Sequence, residues 1–228
     1  MNKCIFALTL LAVFFFTSCE NRTANTPIYI IPEPVDIVQN EGVFSLDRGS
    51  TYQIEGVDSQ DVIIATICEG MDKNFGLRCA EGSGAITFQL NEQEDKTLGS
   101  EGYTLDVTSK HIVITANTTS GLFYGYQTLL QLSPEDISPK AYTTIDIPCV
   151  FITDYPRFEW RGTHLDVCRH YFDIPFIKKY IDILAMHKIN KFHWHFTDDH
   201  GWRMEVDKSP ALTEIGAWSV DRTKEPWG

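Results

Sequence analysis

Apolar and polar residues follow three different rhythms along the chain, and each predicts a different kind of element. From Cys4 to Phe16 there is no alternation at all: the residues are apolar, with Thr9 the one hydroxyl. A period of two runs through Ala85 to Leu90, Tyr103 to Val107 and His111 to Thr115, as expected of strands with one buried face. Ser109-Lys110 marks the turn between the last two, and Val43 to Leu46 and Tyr52 to Ile54 read as shorter strands. A helical period places Val62, Ala65, Ile67, Met71 and Phe75 on one side of a helix over 61–75, with Gly76 a natural stop. Leu122, Tyr126, Leu129 and Leu130 do the same over 120–132.

After Asp154-Tyr155-Pro156 the rhythm changes. Arg161 to Val167 reads as a strand. Asp173 is placed to cap a helix whose second position is Pro175. Phe176, Ile177, Tyr180, Ile181, Leu184 and His187 keep helical spacing, Asn190 is the expected helix end, and Lys191 to Phe196 is the next strand. This is a β-α-β unit, whose strands lie parallel with a right-handed crossover. The expectation is an α+β domain over 28–153, a mainly antiparallel sheet with helices on one face, followed from residue 154 by the start of a parallel α/β fold.

The N-terminal apolar run, about 13 residues, is too short to span a bilayer, which takes about 20. With Lys3 before it and small residues after it, it fits the apolar region of a secretory signal. Phe16-Thr17-Ser18-Cys19 resembles the end of a bacterial lipoprotein signal, where cleavage leaves the cysteine as the lipid-bearing first residue; Phe16 stands where Leu is usual. The expectation is a signal peptide over 1–18, a lipid anchor on Cys19 that holds the protein to a membrane, and a polar tether over 19–27. The protein would then be exported to the bacterial periplasm or cell envelope. Ordinary cleavage nearby, with Cys19 an incidental thiol, is the other reading.

Composition narrows the function. Hydrophobic residues at 43% and charged residues at 22% describe a globular chain. A formal charge of −12 argues against a nucleic-acid partner, since phosphate binding needs clustered cations, and reads as a solvated acidic surface. Beyond the signal, Cys68, Cys79, Cys149 and Cys168 form no Cys-x-x-Cys pair, so a zinc knuckle is not indicated. Cys68 and Cys79 could pair in an oxidising compartment; free thiols are the alternative.

The candidate chemistry sits at the carboxyl ends of the two parallel strands, where such folds carry their active sites. One strand ends in Asp166, Arg169 and His170; the other in His193, His195, Asp198, Asp199 and His200, with Trp202 and Arg203 beyond. Alternation puts His193, His195 and Thr197 on one face and Trp194 and Phe196 on the other. Adjacent parallel strands would bring Arg169 near Asp198. An arginine fork beside a carboxylate suits vicinal hydroxyls, because one group only donates and the other only accepts. Core histidines satisfied by carboxylates, and a structural Asp166, are the bland readings. A rival chemical reading takes His193-Trp194-His195 as zinc ligands of a metal-dependent amidohydrolase.

At these residues the sequence resembles glycoside hydrolase family 20, the β-N-acetylhexosaminidases. Trp160-Arg161-Gly162 with Leu165-Asp166-Val167-Cys168-Arg169-His170-Tyr171-Phe172 is similar to that family's opening barrel strand. The run from Lys188 to Arg203, containing His193-Trp194-His195-Phe196-Thr197-Asp198-Asp199, is similar to its second strand and loop, and Pro210 to Trp218 also matches. Upstream, Glu101-Gly102-Tyr103, Gly121 to Gly125 and Gln127 to Leu132 carry the likeness into the first domain.

The resemblance implies a (β/α)8 TIM barrel and exo-acting, retaining hydrolysis of terminal β-linked N-acetylglucosamine or N-acetylgalactosamine. In that mechanism the substrate's own 2-acetamido carbonyl attacks the anomeric carbon. The implied partners are N-acetylhexosamine-terminated glycans or chitooligosaccharides; no metal or other cofactor is implied. Arg169 and Asp198 would hold the terminal sugar, supported by His195, Asp199 and Asp166. The family's adjacent Asp-Glu pair, general acid and its partner, does not follow the second strand and would lie beyond Gly228. A full barrel takes about 250 residues. The expectation is therefore an incomplete barrel, inactive alone; a short protein serving as a binding or scaffold module is the other reading.

Labelling expressing cells with a palmitate analogue should mark the wild-type chain and not Cys19→Ala. An unlabelled, soluble wild type would remove the lipid anchor.

Overall fold

The computed structural model describes residues 27–58, 60–80, 84–134 and 143–218. The proposed signal segment, Cys19 and all of the tether but Pro27 lie outside the described residues. Among the described residues, no helix is long and apolar enough to cross a membrane.

In chain order the elements of the first domain are β1 (Asp36–Asp47), β2 (Thr51–Glu55), α1 (Val62–Gly70) running on into a π turn (Met71–Phe75), β3 (Arg78–Cys79) and β4 (Ile86–Leu90). Then come β5 (Tyr103–Val107), β6 (Ile112–Ala116), α2 (Thr119–Leu132) and β7 (Thr144–Asp154). They build one sheet in the order β1-β7-β5-β6-β4-β2-β3. The pairs β1-β7, β7-β5 and β5-β6 are antiparallel, but β6-β4, β4-β2 and β2-β3 are parallel. The sheet is thus mixed, not mainly antiparallel. The reason is α1, which carries the chain from the end of β2 back to the start of β3 and β4, as a crossover between parallel strands must.

Both helices lie on one face. Tyr103, Leu105, Val107, Ile112, Ile114 and Ala116 are buried beneath α2. At Gly125 a Cβ would stand 2.5 Å from Ile114 Cγ2, so glycine is what lets α2 settle onto the sheet. Asp61 caps α1 by accepting from the Ile63 and Ile64 N–H groups, and also accepts the Thr119 hydroxyl at 3.0 Å, which ties the two helix starts together. The other face is polar: Gln53 donates to Thr87 and Gln89 to Thr115, each at 3.0 Å. The cysteines Cys68, Cys79, Cys149 and Cys168 are free.

Strand β7 lies between β1 and β5, and no strand was expected there. Pro148 interrupts its reading, since proline cannot donate to a ladder. In the structure Pro148 faces Val43, where the β1 register shifts, so the missing N–H falls at an irregularity of the pairing.

The second part opens with β8 (Gly162–Asp166), α3 (Ile174–Met186) and β9 (Lys191–His195). Strands β8 and β9 pair in parallel, as a β-α-β unit requires. Asp173 caps α3 by accepting from the Phe176 N–H at 3.0 Å. The helix ends at Met186 rather than at Asn190. Lys188 takes a left-handed conformation, φ 58°, and turns the chain toward β9. The short strands β10 (Thr197–Asp198) and β11 (Gly201–Trp202) then form a hairpin, and α4 (Ala211–Glu214) follows.

Two polar knots, one largely buried and one partly buried, join the parts. Lys188 Nζ donates to Asp154 Oδ2 at 2.6 Å and to the Tyr103 hydroxyl at 2.8 Å. Burial pushes the Lys188 ammonium below its usual range, against the pull of Asp154. Glu101 accepts from Arg161 at 2.9 Å and from Asn190 at 3.0 Å, while Arg161 Nε donates to the Lys188 carbonyl at 2.7 Å. Burial alone would raise the Glu101 carboxyl, but these donors and the Arg161 charge hold it below its usual range.

Removing one partner of a buried ion pair leaves the other charge uncompensated. Asp154→Ala should therefore cost on the order of 3 kcal/mol in urea unfolding. Glu101 should make stability fall in acid. Its folded pKa is depressed, so its contribution is complete above the unfolded value near ~4.3 and is lost as pH falls through the lower folded value. The difference in melting temperature between wild type and Glu101→Gln should hold constant down to about pH 5 and shrink below it as the carboxylate takes up its proton. A difference that stayed constant below that pH would show that the carboxylate charge is not what Arg161 and Asn190 hold.

Candidate active site

Register fixes the site. In the β8-β9 pair His164 stands opposite His193 and Asp166 opposite His195, so all four side chains share one face. Beyond β8 the chain turns on Asp166, whose Oδ1 accepts from the Cys168 N–H at 2.8 Å and the Arg169 N–H at 3.2 Å. This local turn, of the kind aspartate favours, brings Arg169 back over the strand end. Its Nη1 lies 2.8 Å from Asp166 Oδ2 and 2.9 Å from Asp198 Oδ2.

Asp198 Oδ2 is shared. His195 Nε2 sits 2.9 Å from it and 3.4 Å from Arg169 Nη1. The Asp199 N–H donates to Asp198 Oδ1 at 2.8 Å. Hydrogen bonding with Asp199, then with His195, and the Arg169 charge outweigh desolvation and push the Asp198 carboxyl down to about 2. Asp166 is also held below its usual range: desolvation opposes this, but the Cys168 and Arg169 N–H groups and the guanidinium prevail. The site thus presents a cation and two ionised carboxylates at neutral pH.

The remaining members of the sequence cluster divide. Asp199 contributes through its backbone N–H and its side chain, which is 82% exposed and stands 3.6 Å from His200. His170 is exposed beyond the turn and takes no part in this network. Two residues given no role by sequence reasoning belong here. Arg203 donates to the Val167 carbonyl at 3.1 Å, to the Cys168 carbonyl at 3.2 Å and to the Ala217 carbonyl. It clamps the turn that carries Arg169. Gly201 makes room for it, since a Cβ there would lie 2.8 Å from both Arg203 Nη2 and the Cys168 carbonyl. The other is His164. It joins His193 and His195 in a trio with one nitrogen from each ring within 4.8 Å of the others, the one His/Cys/Asp/Glu group among the described residues that could hold a metal ion.

Chemically, the cluster can grip a polyhydroxylated ligand. The Arg169 side chain is 44% exposed. Its Nη1 is committed to carboxylates, which leaves the rest of the fork to donate, while Asp198 can only accept.

Residues 27–155 match "Glycosyl hydrolase family 20, domain 2", and residues 158–227 match "Glycosyl hydrolase family 20, catalytic domain". The chain belongs to glycosyl hydrolase family 20. It is 31% identical over 229 residues to a β-hexosaminidase of Porphyromonas gingivalis, covering 95% of this chain and 30% of that protein. A β-hexosaminidase of Vibrio furnissii is 34% identical over 199 residues, covering 86% and 31%. The chain therefore spans about a third of the length of these relatives.

Among solved structures, the family 20 exo-β-N-acetylglucosaminidase of Vibrio harveyi in complex with N-acetylglucosamine superposes with a TM-score of 0.72 at 36% identity. That match covers 83% of this chain and 28% of the other. The β-N-acetylhexosaminidase of Bacteroides fragilis gives 0.71 at 34%, covering 83% and 37%. Membership in this glycosidase family does not favour the amidohydrolase reading of His193 and His195, nor that of a bare scaffold module.

Arg203→Lys should loosen the turn, because one ammonium cannot reach three diverging carbonyls. Each charged hydrogen bond lost is worth about 1.5–3 kcal/mol. Amide exchange at Cys168 and Arg169 should rise by at least tenfold in the variant while β5 and β6 stay protected. Unchanged exchange at the turn would show that it stands without the clamp.

Proposed function

We propose that this chain supplies the terminal-sugar clamp of an exo-acting, retaining β-N-acetylhexosaminidase acting on terminal β-linked N-acetylglucosamine or N-acetylgalactosamine. The observation that carries the reading is the convergence of Arg169 and His195 on one oxygen of Asp198, at the carboxyl ends of two parallel strands, in a chain of this family. Arg169 donates to hydroxyls of the terminal ring and Asp198 accepts from them. His195 and the Asp199 N–H hold Asp198 in place, and Asp166 aims the guanidinium. The substrates are N-acetylhexosamine-terminated glycans or chitooligosaccharides. The acetamido carbonyl of the bound sugar attacks its own anomeric carbon, and a general acid protonates the departing oxygen. No adjacent Asp-Glu pair follows β9 within residues 1–228, so residues 1–228 alone should not turn over a chromogenic N-acetylglucosaminide. The protein works in the cell envelope, tethered through Cys19.

In the enzyme carrying the whole barrel, Arg169→Ala should lower kcat/KM by roughly 10- to 150-fold, the equivalent of one charged hydrogen bond of about 1.5–3 kcal/mol. Arg169→Lys should rescue poorly, because an ammonium lacks the planar fork. Wild-type kinetics in Arg169→Ala would remove the central residue of the proposal.

A further inference from the structure

Below the Arg169–Asp198 pair, the face of the two strands that carries Asp166 also carries three imidazoles. We propose that His164, His193 and His195 form a binding site for a single divalent transition-metal ion of the zinc, nickel and copper class. The proposal concerns binding and does not rest on the glycosidase reading; it assigns the ion no part in hydrolysis.

Backbone register supports it first. His164 and His193 are direct partners on parallel strands, and His195 is the next residue on the same face. The His193 and His195 rings lie nearly parallel, 6.1 Å apart with an 11° interplanar angle. The His164 ring meets them edge-on at 4.7 Å and 5.7 Å. One nitrogen from each ring falls within 4.8 Å of the other two. Around a tetrahedral ion with metal–nitrogen bonds near ~2.1 Å, ligand atoms stand roughly 3.4 Å apart. The trio must close by about 1.4 Å on that geometry. Rotation about the His164 and His193 side-chain torsions is the movement that would bring the nitrogens together.

The donor chemistry comes next. Neither His164 nor His193 spends a ring nitrogen on a hydrogen bond to a protein group among the described residues, so their lone pairs are available. His195 is different, because its Nε2 is engaged with Asp198 Oδ2 at 2.9 Å. That leaves Nδ1 for an ion and sets up the order carboxylate–imidazole–metal, in which the outer carboxylate fixes the tautomer and strengthens the ligand. A set of three neutral imidazoles selects zinc, nickel or copper, whereas magnesium and calcium want oxygen donors. With three protein ligands the fourth position is left to water.

The consequence is coupling between layers. An ion on Nδ1 obliges His195 to carry its remaining proton on Nε2, where it donates to Asp198. Occupancy of the lower layer therefore determines how Asp198 is held in the upper one.

Titrating the untagged full chain with zinc chloride in a calorimeter should give saturable uptake of one ion per chain. His164→Ala and His193→Ala should each weaken it by roughly 100-fold, at the upper end of what loss of even an outer-shell partner costs. His111→Ala and His170→Ala should leave it unchanged. Imidazole nitrogen resonances of the wild-type chain provide a readout that does not depend on how the variants fold: those of His164, His193 and His195 should move on zinc addition. The proposal is overturned by absence of saturable uptake, by uptake that survives both substitutions, or by resonances of the three rings that stay in place.

Discussion

The arrangement of this chain depends on one buried cation. Lys188 leaves the end of α3 in a left-handed turn and drives its ammonium under the first domain, onto Asp154 and the Tyr103 hydroxyl. Asp154 is the last residue of β7 and Tyr103 the first of β5, so the contact joins the centre of the sheet to the start of β9. A lysine placed this deep is costly to desolvate, and only a close carboxylate offsets that cost. The backbone around it is held as well, since Arg161 takes the Lys188 carbonyl and Glu101 takes both Arg161 and Asn190. Strand β9 therefore begins at a place set by the other domain, and every residue of the site is counted from that origin.

Above this base the site is built from short-range devices. Asp166 turns the chain and also pairs with the guanidinium that the turn delivers. Asp198 receives Arg169 and His195 on a single oxygen. Arg203 seals the turn from the far side through main-chain carbonyls. The result is a preorganised donor–acceptor surface, in which Arg169 and Asp198 are already oriented by their neighbours.

What was legible in the sequence follows from what kind of signal each feature leaves. The helix over 61–75 and the capped start of α3 are written in local periodicity and in Asp61 and Asp173, whose side chains accept within their own first turns. The cluster of Arg169, His195 and Asp198 showed as a density of polar residues at strand ends, which simple alternation could orient. The direction of β2, β3 and β4 was hidden, because a strand pattern has no arrow until its crossover is known. Strand β7 was hidden by Pro148, whose cost disappears only once the irregularity in β1 is seen opposite it. Arg203 was present in the sequence but silent, since its partners are carbonyls, and every residue carries one. His164 lay one step inside a strand, and its meaning came only from the register that faces it with His193.

The late position of β7 also bears on how the chain is made. Its partner β1 precedes it by roughly a hundred residues; Ser45 and Asp146, bonded across the pair, are 101 apart. At about 5–20 residues per second, β1 waits on the order of 5–20 s after leaving the ribosome before β7 exists to cover its edge. During that interval β2, α1, β4, β5 and β6 are all available, so the parallel half of the sheet can form first while the other edge stays open. The seam of the sheet, β1 with β7, is therefore the last part of the first domain that can close.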